Sequence, residues 1–149
     1  MKKIVICVSN TDEKLLSQIK LLKGSSLLES DAEIHFVSVF KEGTYIEGLV
    51  PHNFPSTEQY DEIKDTINKI LKELANEVLG PAHKKVIQKC LFHNSPKIEI
   101  INYLKEVKAD VVVCATRKNH GIEDLFLSSF TEHLCKFSPC DIYVIRSRS

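Results

Sequence analysis

The sequence predicts an α/β fold with a mostly parallel β-sheet, and the order of its segments is the main reason. Five short apolar runs alternate with segments of helical spacing along the whole chain. Strands that alternate with helices form right-handed βαβ units, which make the strands parallel and place helices on both faces of the sheet. The 149 residues fit a single domain of ordinary size, and 43% hydrophobic residues are typical of a globular protein.

The first part of the chain contains two predicted strands. Residues 3–8 form a β-branched run without alternation, which indicates a strand covered on both faces. Asn10 is predicted to cap the helix that follows, with Glu13 as its capping-box partner. Residues 33–40 form the second strand. Residues 41–57 contain two Gly, two Pro and no clear period, so we expect a long loop there.

The middle of the chain predicts a long helix, a third strand and a further helix. The long helix ends at residues 80–81, a Gly-Pro pair. Residues 85–92 form the strand. Ser95 and Pro96 then give a cap and a first helical position. The apolar stripe of the long helix is Ile63, Ile67, Ile70, Leu71, Leu74 and Val78, and the buried face of the later helix is predicted to include Ile98, Ile101 and Leu104.

The last part of the chain adds two strands around one helix. Residues 110–115 form the fourth strand, and a polar loop covers residues 116–124. A helix is predicted from about residue 128 to 136, and a Ser-Pro pair at residues 138–139 ends it. Residues 140–145 form the fifth strand, which we expect at an edge of the sheet.

Charge and the N-terminal residues limit the class of protein. Lys plus Arg and Asp plus Glu are both 20, so the formal net charge is zero. Such a chain has no basic footprint for nucleic acid, and its copies repel one another little. The apolar stretch at residues 4–8 is too short for a signal sequence or a membrane span. We therefore expect a cytoplasmic protein that binds neither nucleic acid nor membrane.

Neither a metal site nor a catalytic group is predicted. No two of the six histidines have the i, i+4 spacing of a zinc-binding helix, and no nucleophile elbow or phosphate-binding P-loop is present. His35 is expected to be a hydrogen-bonded core residue, and His120 a solvated loop residue. The five cysteines are expected to be reduced, buried thiols. They are Cys7, Cys90, Cys114, Cys135 and Cys140.

A ligand site is predicted where the strands end. In open parallel sheets ligands bind beyond the carboxyl ends of the strands, where the strand order reverses. If the first and fourth strands are neighbours, residues 9–11, 115–118 and 128–129 line that crevice, and Arg117 and Lys118 favour an anion. The alternative is that these are ordinary polar loop and cap residues. The candidates for a nucleotide or anion are Ser9, Asn10, Val39, Ala115, Thr116, Arg117, Lys118, Ser128 and Ser129.

Several segments together resemble the universal stress protein family. Residues 110–117 (DVVVCATR), 121–132 (GIEDLFLSSFTE) and 138–145 (SPCDIYVI) are similar to its C-terminal signature. Residues 4–11 resemble its first strand and loop, and residues 95–96 the start of its third helix. The resemblance covers nearly the whole chain and is weakest in the middle. It implies a five-stranded parallel sheet in the order 3-2-1-4-5, usually in a dimer.

Many members of that family bind ATP through a glycine pattern, from which this sequence departs. Ala115, Lys118 and Ser128 stand at the three glycines, Ser129 keeps the final hydroxyl, and Ser9 replaces an aspartate that helps to hold the nucleotide. Each loss costs about 1–2 kcal/mol, and together they weaken micromolar binding to about millimolar. The resemblance is therefore to the non-ATP-binding branch typified by universal stress protein A, which predicts no cofactor.

The predicted function is binding or regulation in a stress response rather than catalysis. A homodimer is expected through the edge of the fifth strand, at Ile142, Tyr143 and Val144, and an unknown regulatory protein partner through residues 41–57. One alternative is an ATP- or AMP-binding universal stress protein with an altered phosphate loop and slow hydrolysis. Another is an unrelated Rossmann-like enzyme domain, for which no catalytic residue is identified.

Overall fold

A computed structural model describes residues 1–81, 83, 85–116 and 129–146. Seven strands and four α-helices follow one another in that part of the chain, and a 3₁₀ turn at Lys20–Leu22 extends the first helix. They are β1 (Lys3–Cys7), α1 (Glu13–Ile19), β2 (Glu33–Lys41), β3 (Gly43–Glu47), β4 (Val50–Phe54), α2 (Thr57–Leu79), β5 (Val86–His93), α3 (Pro96–Val107), β6 (Val111–Thr116), α4 (Ser129–Phe137) and β7 (Asp141–Arg146).

Five of the strands form one parallel sheet in the order β5-β2-β1-β6-β7. When the five predicted strands are numbered by themselves, this is the order 3-2-1-4-5 that the resemblance implies. Strand β1 is central and pairs with β2 on one side and β6 on the other. The strand order reverses between β1 and β6, which places the predicted crevice at the ends of these two strands.

The core lies on both faces of this sheet, because alternate residues of the strands point to opposite sides. Ile4 and Ile6 pack with side chains of α1 and α2, whereas Val5 packs with side chains of α3 and α4. All three β1 side chains are fully buried. The continuous β-branched run is thus the signature of a strand covered on both faces, as predicted.

A buried polar group links β2 to α3 through His35, as expected for a core histidine. The Nδ1 atom of His35 lies 2.6 Å from the hydroxyl oxygen of Tyr103, and its Nε2 atom lies 2.7 Å from Oε1 of Glu33. A carboxylate only accepts, so Nε2 carries a proton, and in the neutral ring Nδ1 accepts from the Tyr103 hydroxyl. Burial raises the pKa of Tyr103 to about 12, so its hydroxyl stays protonated.

The long helix α2 follows its sequence signals at both ends. Its cap Ser56 and Gln59 form a reciprocal capping box. Gly80 follows the last helical residue with a φ of +72°, a conformation that favours glycine. No helix in the described part of the chain is both long enough and apolar enough to cross a membrane.

Two helix predictions need correction. The cap of α1 is Asp12 rather than Asn10, and its Oδ1 accepts from the amides of Lys14 and Leu15 at 2.9 and 3.4 Å. Asn10 is instead hydrogen-bonded to β2. In α3 the predicted Ile101 and Leu104 are buried, but the predicted Ile98 is exposed. Ile100 is buried on this helix instead of Ile98.

The predicted long loop at residues 41–57 is wrong, because most of it forms the antiparallel hairpin β3–β4. A two-residue turn at Gly48 and Leu49 connects the strands, and Gly48 has a φ of +66°. The predicted burial of the cysteines is wrong for Cys135, which is exposed on α4. Cys90 and Cys114 are buried as expected, and Cys7 and Cys140 are half-buried.

Candidate functional site

A cavity of about 400 Å³ opens at the carboxyl ends of β1, β2 and β6, where the crevice was predicted. Helix α3 begins on one side of it and α4 on another. Its volume lies in the range of small-molecule sites. The described residues that line it are Cys7, Val8, Ser9, Asn10, Thr11, Leu15, Val37, Val39, Phe40, Lys41, Pro96, Ile100, Cys114, Ala115 and Phe130.

The wall of this cavity is mainly apolar. Its lining includes branched aliphatic side chains and the rings of Phe40 and Phe130. Two thiols complete the wall, and burial raises the pKa of Cys114 to about 11 and that of Cys7 well above its usual value. Both sulfurs are therefore protonated at neutral pH and contribute polarisable, weakly polar surface rather than thiolate nucleophiles.

The polar end of the cavity is already engaged in hydrogen bonds within the protein. The Nδ2 atom of Asn10 donates to Oγ of Ser38 at 2.8 Å and to the carbonyl of Val39 at 2.9 Å. The Oγ atom of Ser9 accepts from the amides of Thr11 and Asp12 at 3.3 and 3.1 Å. These contacts hold the segment after β1 against the end of β2 and organise the start of α1.

The charge around the cavity favours a neutral or anionic ligand. Lys41 is the one charged side chain among the described lining residues. A second lysine, Lys97 in the first turn of α3, donates from Nζ to Oγ of Ser129 at the start of α4. No carboxylate lines the described part of the cavity, so no acceptor of that strength faces a bound hydroxyl or amino group there.

The predicted site residues fall into three groups. Ser9, Asn10, Val39 and Ala115 line one cavity and are brought together from β1, β2 and β6. Thr116 is buried at the end of β6 and is not part of the lining, and Ser129 is an exposed residue at the start of α4. The remaining candidates Arg117, Lys118 and Ser128, together with His120, lie outside the described residues.

Sequence reasoning predicted Val39 and Ala115 but missed the apolar lining that the helices supply. Pro96 and Ile100 come from the first turns of α3, and Phe130 from the first turn of α4. A signal was available, because a helix that follows a parallel strand starts at the carboxyl edge of the sheet, close to any ligand there. The His, Cys, Asp and Glu residues that are described form no group of three able to hold a metal ion.

Strand β7 is the last strand of the sheet, as predicted for the fifth strand. Ile142 and Val144 are half-buried against the core on the α3–α4 side, whereas Tyr143 points to the opposite side and is exposed. Among the described strands none pairs with the edge of β7 that faces away from β6, and the exposed Tyr143 ring lies on the sheet face next to this edge.

Comparison with known proteins places the chain in a family. The model of the Universal stress protein family matches residues 1–146. A putative universal stress protein of Staphylococcus saprophyticus is 30% identical over 119 residues, which are 79% of this chain and 68% of that protein. A universal stress protein of Methanocaldococcus jannaschii is 26% identical over 151 aligned residues, covering 97% and 82% of the two chains. The chain belongs to the universal stress protein family.

Solved structures agree with this fold. A universal stress protein from Lactobacillus plantarum superposes with a TM-score of 0.66 at 16% identity, covering 97% of each chain. A family protein from Arabidopsis thaliana with AMP bound gives 0.59 at 14% identity, covering 100% and 94%. A universal stress protein from Archaeoglobus fulgidus in complex with dAMP gives 0.58 at 15%, covering 97% and 98%.

Proposed function

We propose that this chain is a cytoplasmic, single-domain regulatory protein that acts as a homodimer on a protein partner and binds ATP only weakly. The observation that carries the weak affinity is the polar end of the cavity. There the amide nitrogen of Asn10 already donates to Ser38 and Val39, Oγ of Ser9 already accepts from two backbone amides, and no described carboxylate faces the cavity. The free cysteines support a reducing compartment.

The apolar wall still accommodates a flat ring. Val39, Ile100 and Phe130 offer aliphatic and aromatic contacts in a cavity of about 400 Å³. Universal stress proteins of related fold hold AMP or dAMP, which supports the alternative of a nucleotide ligand here. In our proposal this slot binds the nucleoside part, and that part alone supplies a modest affinity.

The phosphates add little to this affinity. The ATP-binding members of the family have three glycines in their phosphate loop. This sequence has a residue with a side chain at each of those positions, namely Ala115, Lys118 and Ser128. Glycine lets amide groups approach a phosphate closely, and a Cβ atom obstructs that approach. The sequence also has a lysine at position 118, and the described Lys41 and Lys97 bring positive charge to the cavity, which partly compensates. A dissociation constant for ATP near 1 mM corresponds to about 4 kcal/mol of binding free energy.

Calorimetric titration with adenosine, AMP and Mg²⁺-ATP tests this proposal. We expect all three ligands to bind with dissociation constants of about 0.1–1 mM and to differ from one another by less than about tenfold. Tight ATP binding, below about 10 μM, would overturn the proposal in favour of the ATP-binding alternative.

A pair of variants tests the role of Ser9. Ser9→Asp restores a carboxylate acceptor at the polar end, and we expect it to bind adenosine about tenfold more tightly, because a charged hydrogen bond adds about 1.5 kcal/mol. Ser17→Asp adds the same charge on the exposed side of α1 and is the matched control. Equal effects of the two variants would show that net charge, and not the position of Ser9, governs affinity.

The proposed homodimer is formed through β7. The open edge of this strand, the exposed Tyr143 and the zero net charge of the chain support it. We expect Tyr143→Lys to shift the protein toward monomer in sedimentation at micromolar concentration, because two-fold antiparallel pairing places the two substituted side chains close together. Sedimentation of the unaltered protein as monomer only, at the same concentration, would contradict the dimer.

The proposal assigns no reaction to the cavity. Both thiols in its described lining are held protonated by burial. Hydroxyl groups are present at Ser9 and Thr11, but no described histidine or carboxylate lines the cavity to act as their base. We therefore expect the rate of ATP hydrolysis to be the same with and without the protein.

A further inference from the structure

The β3–β4 hairpin is the most exposed apolar part of the described structure. Its side chains Tyr45, Ile46, Leu49 and Val50 are all more than half exposed, and Leu49 is 98% exposed. A single two-stranded hairpin is marginally stable in water, and exposed strand edges are usually protected by lysines. Between Gly43 and Phe54 the sequence contains no lysine and one carboxylate, Glu47.

The geometry of the hairpin leaves one of its edges open. Glu47 and Val50 close the two-residue turn and therefore exchange hydrogen bonds. Paired residues alternate along an antiparallel ladder, so the backbone groups of Thr44 and Ile46 point away from β4. The same alternation directs Pro51 outward from β4, where it offers no N–H group. The edge of β4 is thus interrupted, whereas no other strand of the described part of the chain pairs with the edge of β3.

We propose that β3 pairs with β3 of a second copy of this chain, antiparallel and centred on Tyr45. The strand has five residues, Gly43–Glu47, and Tyr45 is the central one. Two-fold antiparallel pairing that uses all five residues has a single register, in which Tyr45 faces the partner's Tyr45. The two isologous strands then extend each hairpin into a four-stranded antiparallel sheet.

The side chains on β3 fit a second copy in this register. Thr44 faces Ile46 of the other chain, and their outward backbone groups supply the interchain hydrogen bonds. Glu47 faces Gly43 of the other chain, so the two carboxylates stand at opposite ends and do not repel at close range. The only charge on β3 is thus at its end, and the uncharged centre of the strand can pair with its own copy without like charges facing each other.

Tyr45 would also extend an aromatic row that the single chain already begins. Its ring stacks on that of His52, with centroids 5.3 Å apart and an interplanar angle of 21°. These residues are directly opposite each other on β3 and β4. Pairing around Tyr45 places the two tyrosine rings next to each other between the two histidines, and cross-strand aromatic neighbours stabilise antiparallel sheets.

This interface is separate from the one proposed through β7. The hairpin follows β2, on the β5 side of the sheet, whereas β7 is the terminal strand at the opposite edge. Each can form without the other, and a chain that used both would assemble beyond a dimer. The further inference therefore does not rest on the proposed function.

Site-directed disulfide formation tests the register. With the exposed cysteine removed by Cys135→Ser, the variant Tyr45→Cys places two thiols in a non-hydrogen-bonded pair, whose Cα atoms lie about 4.5 Å apart. The matched variant Ile46→Cys places the Cα atoms of its two cysteines about 8 Å apart in the same register, which is beyond the range of a disulfide.

We expect oxidised Tyr45→Cys to form a covalent dimer at least about tenfold faster than Ile46→Cys, because reach decides which thiols can bond. Circular dichroism checks that both variants are folded. Equal rates for the two variants, or no dimer from Tyr45→Cys, would overturn the proposed register.

Sedimentation in a Tyr143→Lys background tests the pairing without a crosslink. In the proposed register, the added substitution Tyr45→Lys places the lysines of the two copies directly opposite each other. Because like charges repel, we expect self-association to be at least about tenfold weaker. Val50→Lys adds the same charge on β4, away from the open edge, and we expect a smaller change. The pairing of β3 with a second copy is wrong if the Tyr143→Lys protein is monomeric at high concentration. It is also wrong if the two added lysines weaken self-association equally. A strand from another protein is then the remaining candidate for this edge.

Discussion

The central sheet and the β3–β4 hairpin contain the same residue types in opposite surroundings. Ile6 in β1 is fully buried, whereas Ile46 in β3 is 72% exposed. Both regions also join a histidine to a glutamate and a tyrosine. In the sheet Nε2 of His35 lies 2.7 Å from the Glu33 carboxylate, and in the hairpin Nε2 of His52 lies 4.0 Å from that of Glu47.

The difference shows that burial, and not residue type, decides what these groups contribute. Apolar surface contributes about 25 cal/mol per Å² only when folding removes it from water. A polar pair gains from its hydrogen bond in the interior, where breaking the bond leaves a partner unsatisfied, but gains little at the surface. We therefore expect the sheet to carry the stability of the monomer and the hairpin to carry very little of it.

The largest loss of folding stability is expected from the substitution Ile6→Ala. This substitution removes a buried side chain and leaves a cavity between β1 and the helices α1 and α2, at a cost of about 2–5 kcal/mol. Urea denaturation followed by circular dichroism measures the loss. A loss below about 1 kcal/mol would indicate that the core on this face collapses around the cavity, and the comparison with the hairpin would fail.

The second effect is expected from Tyr103→Phe, which removes one hydroxyl from the buried group. Nδ1 of His35 then has no partner at a position only 3% exposed, and we expect a loss of about 1–3 kcal/mol. The matched control is Tyr45→Phe, because Tyr45 is exposed in the hairpin. The free energy of unfolding of this variant should fall by no more than about 0.5 kcal/mol. Equal losses in the two variants would contradict the role of burial.

The fold was predictable from the sequence where local signals and long-range contacts agree. The β-branched runs of β1 and β6 mark strands covered on both faces, and Ser95 and Pro96 mark the start of α3. The hairpin was not predictable in this way, because its apolar residues are not alternately buried and Pro51 interrupts the strand pattern. Its strands are defined by pairing with each other rather than by packing on a core.

The candidate site was predictable in position but not in detail. Parallel strands end at one edge, so Ser9 and Ala115 were expected to meet, and both line the cavity. Asn10 and Asp12 are equally good caps in sequence, and the choice between them depends on contacts of Asn10 with β2, which lies 28 residues further along. Such competition between a local and a distant partner leaves no trace in the local sequence.

A third, smaller effect distinguishes the two histidine–glutamate pairs by pH. The hydrogen bond from His35 lowers the pKa of Glu33 below its usual value of 4.5, and the attraction of His35, Lys3 and Lys85 adds to this effect against the opposing effect of burial. A carboxylate whose pKa is lower in the folded state stabilises the protein above its ordinary pKa, and this contribution is lost as the pH falls through the lowered value.

We therefore expect Glu33→Gln to be less stable than the unaltered protein at pH 7, by about 1 kcal/mol, and the gap to narrow below pH 4.5. Urea midpoints at a series of pH values measure the gap. Glu47→Gln, which removes the exposed carboxylate of the hairpin, is the matched control and should change the midpoint little at pH 7. A gap that stays constant down to pH 3 would indicate that the loss in Glu33→Gln comes from shape rather than charge.

The smallest effect is expected from Ile46→Ala, the same substitution as Ile6→Ala on the exposed strand. In the monomer the side chain is mostly in water already, so the loss of stability should stay within about 0.5 kcal/mol. If β3 pairs with a second copy, Ile46 is covered only in the assembly, and the loss then depends on protein concentration by mass action. Urea denaturation at dilute and at hundredfold higher concentration separates the two cases. A loss that grows with concentration supports pairing through β3, whereas a loss of several kcal/mol in the dilute protein would contradict the small contribution of the hairpin to the stability of the monomer.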